Sequence, residues 1–369
     1  MQSSPPCPII ESNVSTQPTI WLRAEGKAFE RRTPLTPTAA ASLIDAGISV
    51  IVERSEDRTY TDDDYASANC SLVAESSWES APMHAYILGL KELPESTQPL
   101  HHRHIYFAHA FKGQAGWKDL LLRFQRGGGA LYDLEYLVDS AGRRVAAFGH
   151  WAGFAGAAVA SLAWSVRHSD DLPDLAPLTA YPDKRALIER CHHQLSGCPA
   201  VPRVMVIGAD GRCGGGAAEL FRELDVDLTL WDLEETRDGG PFEQILEYDI
   251  FVNCVFVSTR IPPFLTSELL ARPRRLSIIC DVSCDPSGDL NPLPIYNHCT
   301  TFADPLQRVA EGENPLDLIA IDHLPSLLPK ESSEDFSNQL LPHLLKLEAP
   351  EKGVWAGARR KYEQMLKEL

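Results

Sequence analysis

The chain has no C-x-x-C pair, no Lys/Arg-rich run and no apolar stretch of membrane-spanning length. Each absence removes a class of protein. Nine cysteines, an odd number without paired spacing, argue against a disulfide framework and a structural zinc site, and point to a reducing compartment. Basic residues number 34 against 51 acidic ones, a net charge of -17. A nucleic-acid-binding protein needs a basic face to neutralise phosphates, so nucleic acid is set aside as a partner. A membrane-spanning helix needs about 20 consecutive apolar residues, and none are present, so no membrane partner is expected. Residues 1–18 are polar and proline-bearing, with neither a basic start nor a continuous apolar segment. They are expected to form a flexible arm rather than a secretory signal. No repeat of fixed short period appears, which excludes a solenoid. The C-terminal Lys-Glu-Leu matches the peroxisomal Ser-Lys-Leu only loosely. The cytoplasm is the expected location, with the peroxisome as the alternative.

What is present is globular: 369 residues, 44% hydrophobic and 23% charged, enough for two domains with their own cores. Strand patterns are read at Thr19–Arg23, Ile48–Val52, Ala85–Leu90, Ile105–Ala108 and Ala130–Val138. Helical patterns at Pro37–Ala46 and Trp117–Gln125 alternate with them, and an alanine-rich helix is read over Gly153–His168. Ser169–Pro199 reads as a looser connection. A second series of strands follows at Val204–Ile207, Leu228–Trp231, Ile250–Cys254 and Ser277–Cys280. Asp285–Pro315 reads as loop, and Gln339–Leu347 and Gly357–Glu368 as closing helices. The alternation predicts an α/β fold: two Rossmann-like domains with largely parallel sheets and a cleft between them. Residues 19–149 with 332–369 are expected to form a substrate domain, and 150–331 a dinucleotide domain.

The strongest local motif is Val204-Met-Val-Ile-Gly208-Ala-Asp-Gly211-Arg-Cys-Gly214, a buried strand, a glycine turn and a helix start. Glycines let the backbone approach a pyrophosphate, and the helix N-terminus offers N–H donors and positive potential. The next strand ends at Trp231-Asp232, about 20 residues on, where a carboxylate suits ribose hydroxyls and repels a 2′-phosphate. The expected cofactor is therefore NAD rather than NADP. Arg212 within the turn is either a cofactor contact or a solvated loop arginine. Cys213 and Cys254 are possible partners in a redox-sensitive disulfide, if geometry brings them together.

Four segments carry reactive groups at strand ends, where α/β sheets bind ligands. They are Arg31–Pro37, Leu88–Glu95 with Lys91-Glu92, Phe107–Trp117 with His109, and Gly142–His150 with Arg143-Arg144. Each has a bland reading: a solvated ion pair for Lys91-Glu92, a core imidazole for His109, a hairpin cap for the arginines. Against an overall acidic field, an anionic substrate would need such local arginines.

These segments and their order resemble the fungal NAD-dependent, lysine-forming saccharopine dehydrogenases, within the alanine-dehydrogenase-like superfamily. The resemblance is carried by L-R-A-E-x-K from Leu22, G-L-K-E from Gly89, F-A-H from Phe107, Q-A-G-W from Gln114 and L-Y-D-L-E from Leu131. It continues through G-R-R-V-A-A-F-G from Gly142, A-G-F-A-G-A-A from Ala152, G-R-C-G from Gly211 and G-G-P-F from Gly239. It closes with N-P-x-P-I-Y from Asn291 and I-D-H-L-P-S-L-L-P from Ile321. It spans Thr19 to the last helix. It implies oxidation of saccharopine to L-lysine and 2-oxoglutarate with NAD, the last step of α-aminoadipate lysine biosynthesis, or the reverse condensation. It implies Lys91 as the base toward the secondary amine and His109 as the acid/base of imine hydrolysis. Arg32 and Arg144 would bind carboxylates beside Gln114 and Phe148, with Glu92 and Glu135 tuning the lysine and histidine. Arg143, Gly211, Arg212, Asp232, Thr236, Phe256, Val282, Ile321, Asp322, His323 and Leu324 would contact the cofactor.

The chemistry suits the residues: arginines bind carboxylates bidentately, and a lysine with a lowered pKa and a histidine are the groups that move protons near neutrality. No metal is implied, and a monomer is compatible with all of it. Three features differ from the family pattern: Asp210 stands in the glycine turn, the N-terminal arm is longer than the matched region needs, and Asn297–Asp317 matches poorly and is shortened. The alternative is a specialised paralogue acting on another secondary amine or 2-oxo acid. A catalytically inactive NAD-binding scaffold is a third reading, opposed by the presence of both Lys91 and His109.

Overall fold

A computed structural model describes residues 18–369 apart from 170–174, 176, 258 and 287. Residues 1–17 of the expected N-terminal arm therefore lie outside the described residues. The first sheet contains β1 (Thr19–Leu22), β2 (Ser49–Glu53), β3 (Ser71–Val73), β4 (Tyr86–Leu88), β5 (Arg103–Tyr106) and β6 (Ala130–Asp133). All pairs are parallel, in the order β3-β2-β1-β4-β5-β6. The second contains β7 (Arg203–Ile207), β8 (Asp227–Trp231), β9 (Ile250–Asn253), β10 (Ile278–Asp281), β11 (Gln307–Ala310) and β12 (Leu316–Ile319). Its order is β11-β12-β10-β9-β7-β8, with only β11 antiparallel. The expected α/β architecture with two largely parallel sheets is thus present.

Strand order places the ligand crevices. It reverses between β1 and β4 in the first sheet and between β7 and β9 in the second, and loops leaving such neighbours diverge to opposite faces. The first reversal carries Arg23–Arg32 and Lys91; the second carries the glycine turn and Cys254.

Several boundaries differ from the sequence reading. β5 runs over Arg103–Tyr106, two residues earlier than expected, so His109 belongs to the following loop. β6 stops at Asp133, because the Asp133 side chain accepts from the Glu135 N–H (2.9 Å) and starts a 3-10 turn over Leu134–Tyr136. Ser169–Pro199 is not a loose connection throughout: Lys184–Ser196 is a helix, N-capped by Asp183 through the Ala186 N–H (2.9 Å). Its only buried side chains are Leu187, Cys191 and Gln194, a stripe too narrow to read as amphipathic. The helix Asp62–Ser67 and strands β3, β11 and β12 were not anticipated; each is six residues or shorter.

The closing helices, Pro329–Leu344 and Gly353–Leu366, pack Phe336, Leu340, Trp355 and Tyr362 into the core of the first sheet. The 20-residue helix Gly149–His168 instead centres the core against β7, β9 and β10. Its crossing with the helix Arg212–Glu223 is close enough to require glycine on both sides. A Cβ at Gly153 would stand 1.7 Å from the Cys213 carbonyl oxygen, and one at Gly216 1.9 Å from that of His150. This contact fixes the start of the Arg212–Glu223 helix against the chain leaving the first sheet.

The first sheet also buries an imidazole. His104 on β5 is fully buried, neither ring nitrogen has a hydrogen-bond partner, and the ring packs edge-on to Trp78 (5.1 Å) and Phe124 (5.4 Å). Burial, reinforced by Arg23, His102 and Arg123, holds its pKa well below the ordinary histidine value. The ring is neutral in the folded protein, while the unfolded chain takes up a proton below about pH 6.5. Its contribution to stability is therefore complete above that pH and declines as pH falls toward the folded pKa, by up to about 1.4 kcal/mol per pH unit. Thermal unfolding of wild type and His104→Leu between pH 7.5 and 5 checks this. The wild type should lose more stability than the variant, and parallel curves would oppose it.

Candidate active site

A cavity of about 440 Å³ lies between the C-terminal edges of the two sheets. From the first half it is lined by Arg32, Lys91, His109, Gln114, Glu135, Arg144 and Phe148, and from the second by Cys213, Cys254, Phe256, Val282 and Asp322. Ten of the residues singled out from sequence for site roles thus meet in one place.

Lys91 follows β4 in a tightly held turn. The Glu25 carboxylate accepts from the N–H groups of Leu90 (2.7 Å) and Lys91 (2.9 Å), and Arg23 donates to the Lys91 carbonyl. Gly89 is required beside them: a Cβ there would meet Arg23 Nε at 2.4 Å. Burial lowers the Lys91 pKa, Arg32 adds to the effect, and Glu30, Asp322 and Glu92 oppose it. Arg32 is itself buried. Its guanidinium grips Glu30 in two hydrogen bonds (2.8 and 2.6 Å) and lies 4.5 Å from the Phe148 ring centroid. Phe148 stacks on Phe336 at 4.4 Å, which braces that wall from a closing helix. Burial would raise the Glu30 pKa, but the charge and hydrogen bonds of Arg32 outweigh it and leave it lowered.

His109 stands in the left-handed region, φ 49°, a conformation uncommon outside glycine. Its Nδ1 is 2.7 Å from Glu92 Oε1, and the other Glu92 oxygen is 2.7 Å from Lys27 Nζ. The Glu92 hydrogen bond raises the His109 pKa against burial. Burial would raise that of Glu92, yet its bonds to His109 and Lys27 leave it well below the usual carboxylate range. Gln114 Oε1 accepts from the Lys112 N–H (2.8 Å) and closes the turn beyond His109. Glu135 is engaged by Arg144 (2.8 Å) and Lys112 (3.0 Å), so its carboxylate balances those cations at the cavity edge.

The dinucleotide motif lies at the second reversal. Gly208 has φ 90°, and a Cβ at Gly214 would fall 2.0 Å from the Gly208 carbonyl oxygen, so only glycine lets the helix start pack on the turn. No side chain caps Gly211, which leaves the first-turn N–H groups of the Arg212–Glu223 helix for a ligand. The Asp232 carboxylate accepts from the Asp210 N–H (2.8 Å), which ties the acid to the turn, and Thr236 Oγ1 donates to the Asp232 carbonyl (2.7 Å). These features fit a pyrophosphate and an unphosphorylated ribose. The Asp210 side chain is exposed.

The other residues singled out for the cofactor are spread more widely. Arg212 donates to the Arg144 carbonyl (3.1 Å), across the two halves. Arg143 is exposed in a hairpin and paired with Asp139 (3.1 Å). Ile321 and Leu324 are core residues, and His323 packs edge-on to Phe302 (4.6 Å). Phe256 is 84% exposed at the cavity rim. Cys213 and Cys254 both line the cavity as free thiols, each with its pKa raised by burial. Cys213 is close enough to Cys254 to add to the rise in its pKa, and the sulfurs of Cys284 and Cys299 lie 3.1 Å apart.

Sequence reasoning passed over Arg23, Glu25, Glu30 and Asp133. Arg23 and Glu25 lie inside the L-R-A-E segment and Asp133 inside L-Y-D-L-E, but nothing local says which backbone groups or cations they meet.

Comparison with known proteins agrees with this arrangement. Residues 21–155 match the model of the alanine dehydrogenase/PNT N-terminal domain, and residues 242–368 that of the alanine dehydrogenase/PNT C-terminal domain. The saccharopine dehydrogenase [NAD(+), L-lysine-forming] of Emericella nidulans is 50% identical over 368 residues, covering 95% of this chain and 98% of that protein. The Schizosaccharomyces pombe protein of the same name is 46% identical, covering 95% and 99%. Among solved structures, an L-alanine dehydrogenase superposes with a TM-score of 0.64 at 18% identity, covering 94% of this chain and 93% of that one, a likeness of fold.

Proposed function

The chain belongs to the NAD-dependent, L-lysine-forming saccharopine dehydrogenases, and from that premise we infer that it oxidises saccharopine with NAD and water to L-lysine, 2-oxoglutarate and NADH. The observation that carries this reading is the meeting of Lys91, His109 and two arginines in one cavity beside a glycine turn with an acidic partner. NAD, when bound, would supply the hydride acceptor for oxidation of the substrate carbon. Lys91 takes the proton of the secondary amine, a role supported by burial and by the neighbouring Arg32, both of which favour its neutral form. The imine carbon is then open to water. His109 takes the proton of that water, with Glu92 supporting the resulting imidazolium, and returns a proton to the departing lysine amine.

Arg144 sits at the cavity edge with its guanidinium shared with Glu135, and Arg32 is held by Glu30. Both retain donors for a substrate carboxylate, since a guanidinium carries five N–H groups. Gln114 and Phe148 complete the substrate wall. Gly211, Arg212, Asp232 and Thr236 would hold the adenosine and pyrophosphate half. Phe256, Val282 and Asp322 would face the nicotinamide half.

We assign residues 19–149 and 332–369 to the substrate half and 150–331 to the cofactor half. This division is supported by the packing of the closing helices on the first sheet. A monomer is compatible with this reading. Among the described residues no helix is long and apolar enough to cross a membrane. A cytoplasmic location is supported by the eight described cysteines, all free thiols.

NADH formation by the purified protein with saccharopine and NAD, beside NADP and other amino acids, tests the reading. Rapid NADH production with lysine and 2-oxoglutarate as products, and poor use of NADP, is the expected result. Turnover of another amine without saccharopine would overturn the substrate assignment.

A further inference from the structure

Asp133 is the last residue of β6, paired in register with Tyr106 of β5, three residues before His109. It is fully buried, and it forms part of the cavity wall with Lys91 and His109. One carboxyl oxygen is engaged by backbone: Oδ1 accepts from the Glu135 N–H at 2.9 Å. The other, Oδ2, is buried and makes no hydrogen bond of good geometry, with the Ala108 N–H close to the carboxyl. A carboxylate oxygen in that condition is costly and calls for a functional or solvent partner. Burial pushes the Asp133 pKa up to about 6, while the N–H groups of Glu135 and Ala108 and the charge of His109 pull it back.

We propose that Asp133 is a positioning residue for imine hydrolysis: its Oδ2, in the cavity wall shared with His109, stabilises by its charge the imidazolium that forms when His109 takes a proton from the attacking water. Glu92 binds one side of the ring at Nδ1, and Asp133 supplies a second, buried charge from the neighbouring strand. The exchange is balanced. Water gives one proton to His109 and hydroxide adds to the iminium carbon; His109 returns that proton to the lysine nitrogen. As the C–N bond breaks and the carbonyl forms, the carbinolamine hydroxyl gives its remaining proton to His109, which passes it to the departing amine, and Asp133 keeps its charge throughout. Other charged groups around the pair are Lys91 and Glu92 after β4, and Glu135 with its partners Lys112 and Arg144 after β6. Tyr106 and Tyr136 also lie within the electrostatic reach of Asp133. Of these, Lys91 opposes the imidazolium, which is why a second carboxylate is useful there.

Asp133→Asn keeps an oxygen for the Glu135 N–H and removes the charge. The titration of His109 is followed by nitrogen-resolved NMR in the substrate-free variant, beside the pH dependence of kcat/KM. His109 should titrate at least half a unit lower than in wild type, and the acidic limb of kcat/KM should move the same way. Expected kcat falls about tenfold or more, with KM for saccharopine within threefold, and Asp133→Glu should recover part of both. A role confined to the turn would lower Tm and leave the His109 titration in place, and that result overturns the proposal. Should Asp133→Asn not fold, His109→Gln provides the reciprocal measurement. The Asp133 carboxyl, followed by carbon NMR, should then titrate higher than in wild type; no change there also overturns it. The proposal rests on the role given to His109. The NMR titrations need no substrate, so a protein inactive toward saccharopine would fail the functional reading separately.

Discussion

Lys91→Met should lower saccharopine oxidation by about 10²- to 10⁴-fold, the usual worth of a positioned general base. Two features make this loss chemical rather than structural. The Lys91 backbone is held by Glu25 and Arg23, contacts that do not involve the side chain removed. Methionine also preserves an unbranched stem of similar length in the same half-buried space. NADH binding, read by fluorescence titration, should stay within a few-fold of wild type, because the glycine turn and Asp232 belong to the other sheet. The pH dependence follows from the sign of the shift. A lysine whose pKa is lowered loses its proton at a lower pH than an ordinary side chain, so the activity of the base should rise through that lowered pKa and persist above it. In Lys91→Met the Lys91 limb of the profile should vanish with the activity. Turnover within twofold of wild type would remove Lys91 as the base.

Gly153→Ala should be among the most destabilising single-atom changes in the protein. The added Cβ would stand 1.7 Å from the Cys213 carbonyl oxygen, a backbone atom with no rotamer to adopt, so the two helices must separate. Overpacking of this kind costs about 1–3 kcal/mol and sometimes more. The displaced residue, Cys213, is in the first turn of the helix proposed to face the pyrophosphate, so NAD affinity should fall with stability. Gly215→Ala is the contrast within that helix. A Cβ there meets nothing within 4 Å, and alanine gains about 0.5–1 kcal/mol of helix propensity. Thermal unfolding and NADH titration of both variants check the argument. Equal Tm values for the two would show that the crossing yields more readily than its geometry indicates.

Much of this protein is legible before folding. Alternating strand and helix patterns predict the two parallel sheets. The glycine turn at Gly208–Gly211 and the acid at Asp232 sit at a spacing set by one strand, one helix and the next strand. Lys91 and His109 follow the ends of β4 and β5, where ligands bind, and Arg144 lies in the hairpin beyond β6. All of these are local signals, because a strand, a turn and a helix start are each determined over a few residues. The linked family motifs then add the chemistry, since long segments in a fixed order carry more information than any one spacing.

Partnership is decided only by the tertiary structure. Glu25 meets the Lys91 backbone across 66 residues, Gly153 meets Cys213 where two helices cross, and strand register brings Asp133 to the cavity that His109 also lines. Glu135 pairs with Arg144 and Lys112, which changes what that carboxylate does. The helix Lys184–Ser196 and strands β11 and β12 also escaped the sequence reading, because their apolar positions are few and burial came from neighbours distant in the chain. A residue's type and local spacing say what it is able to do. Which charge it faces, and hence its pKa and its role, depends on through-space distances that no local pattern encodes.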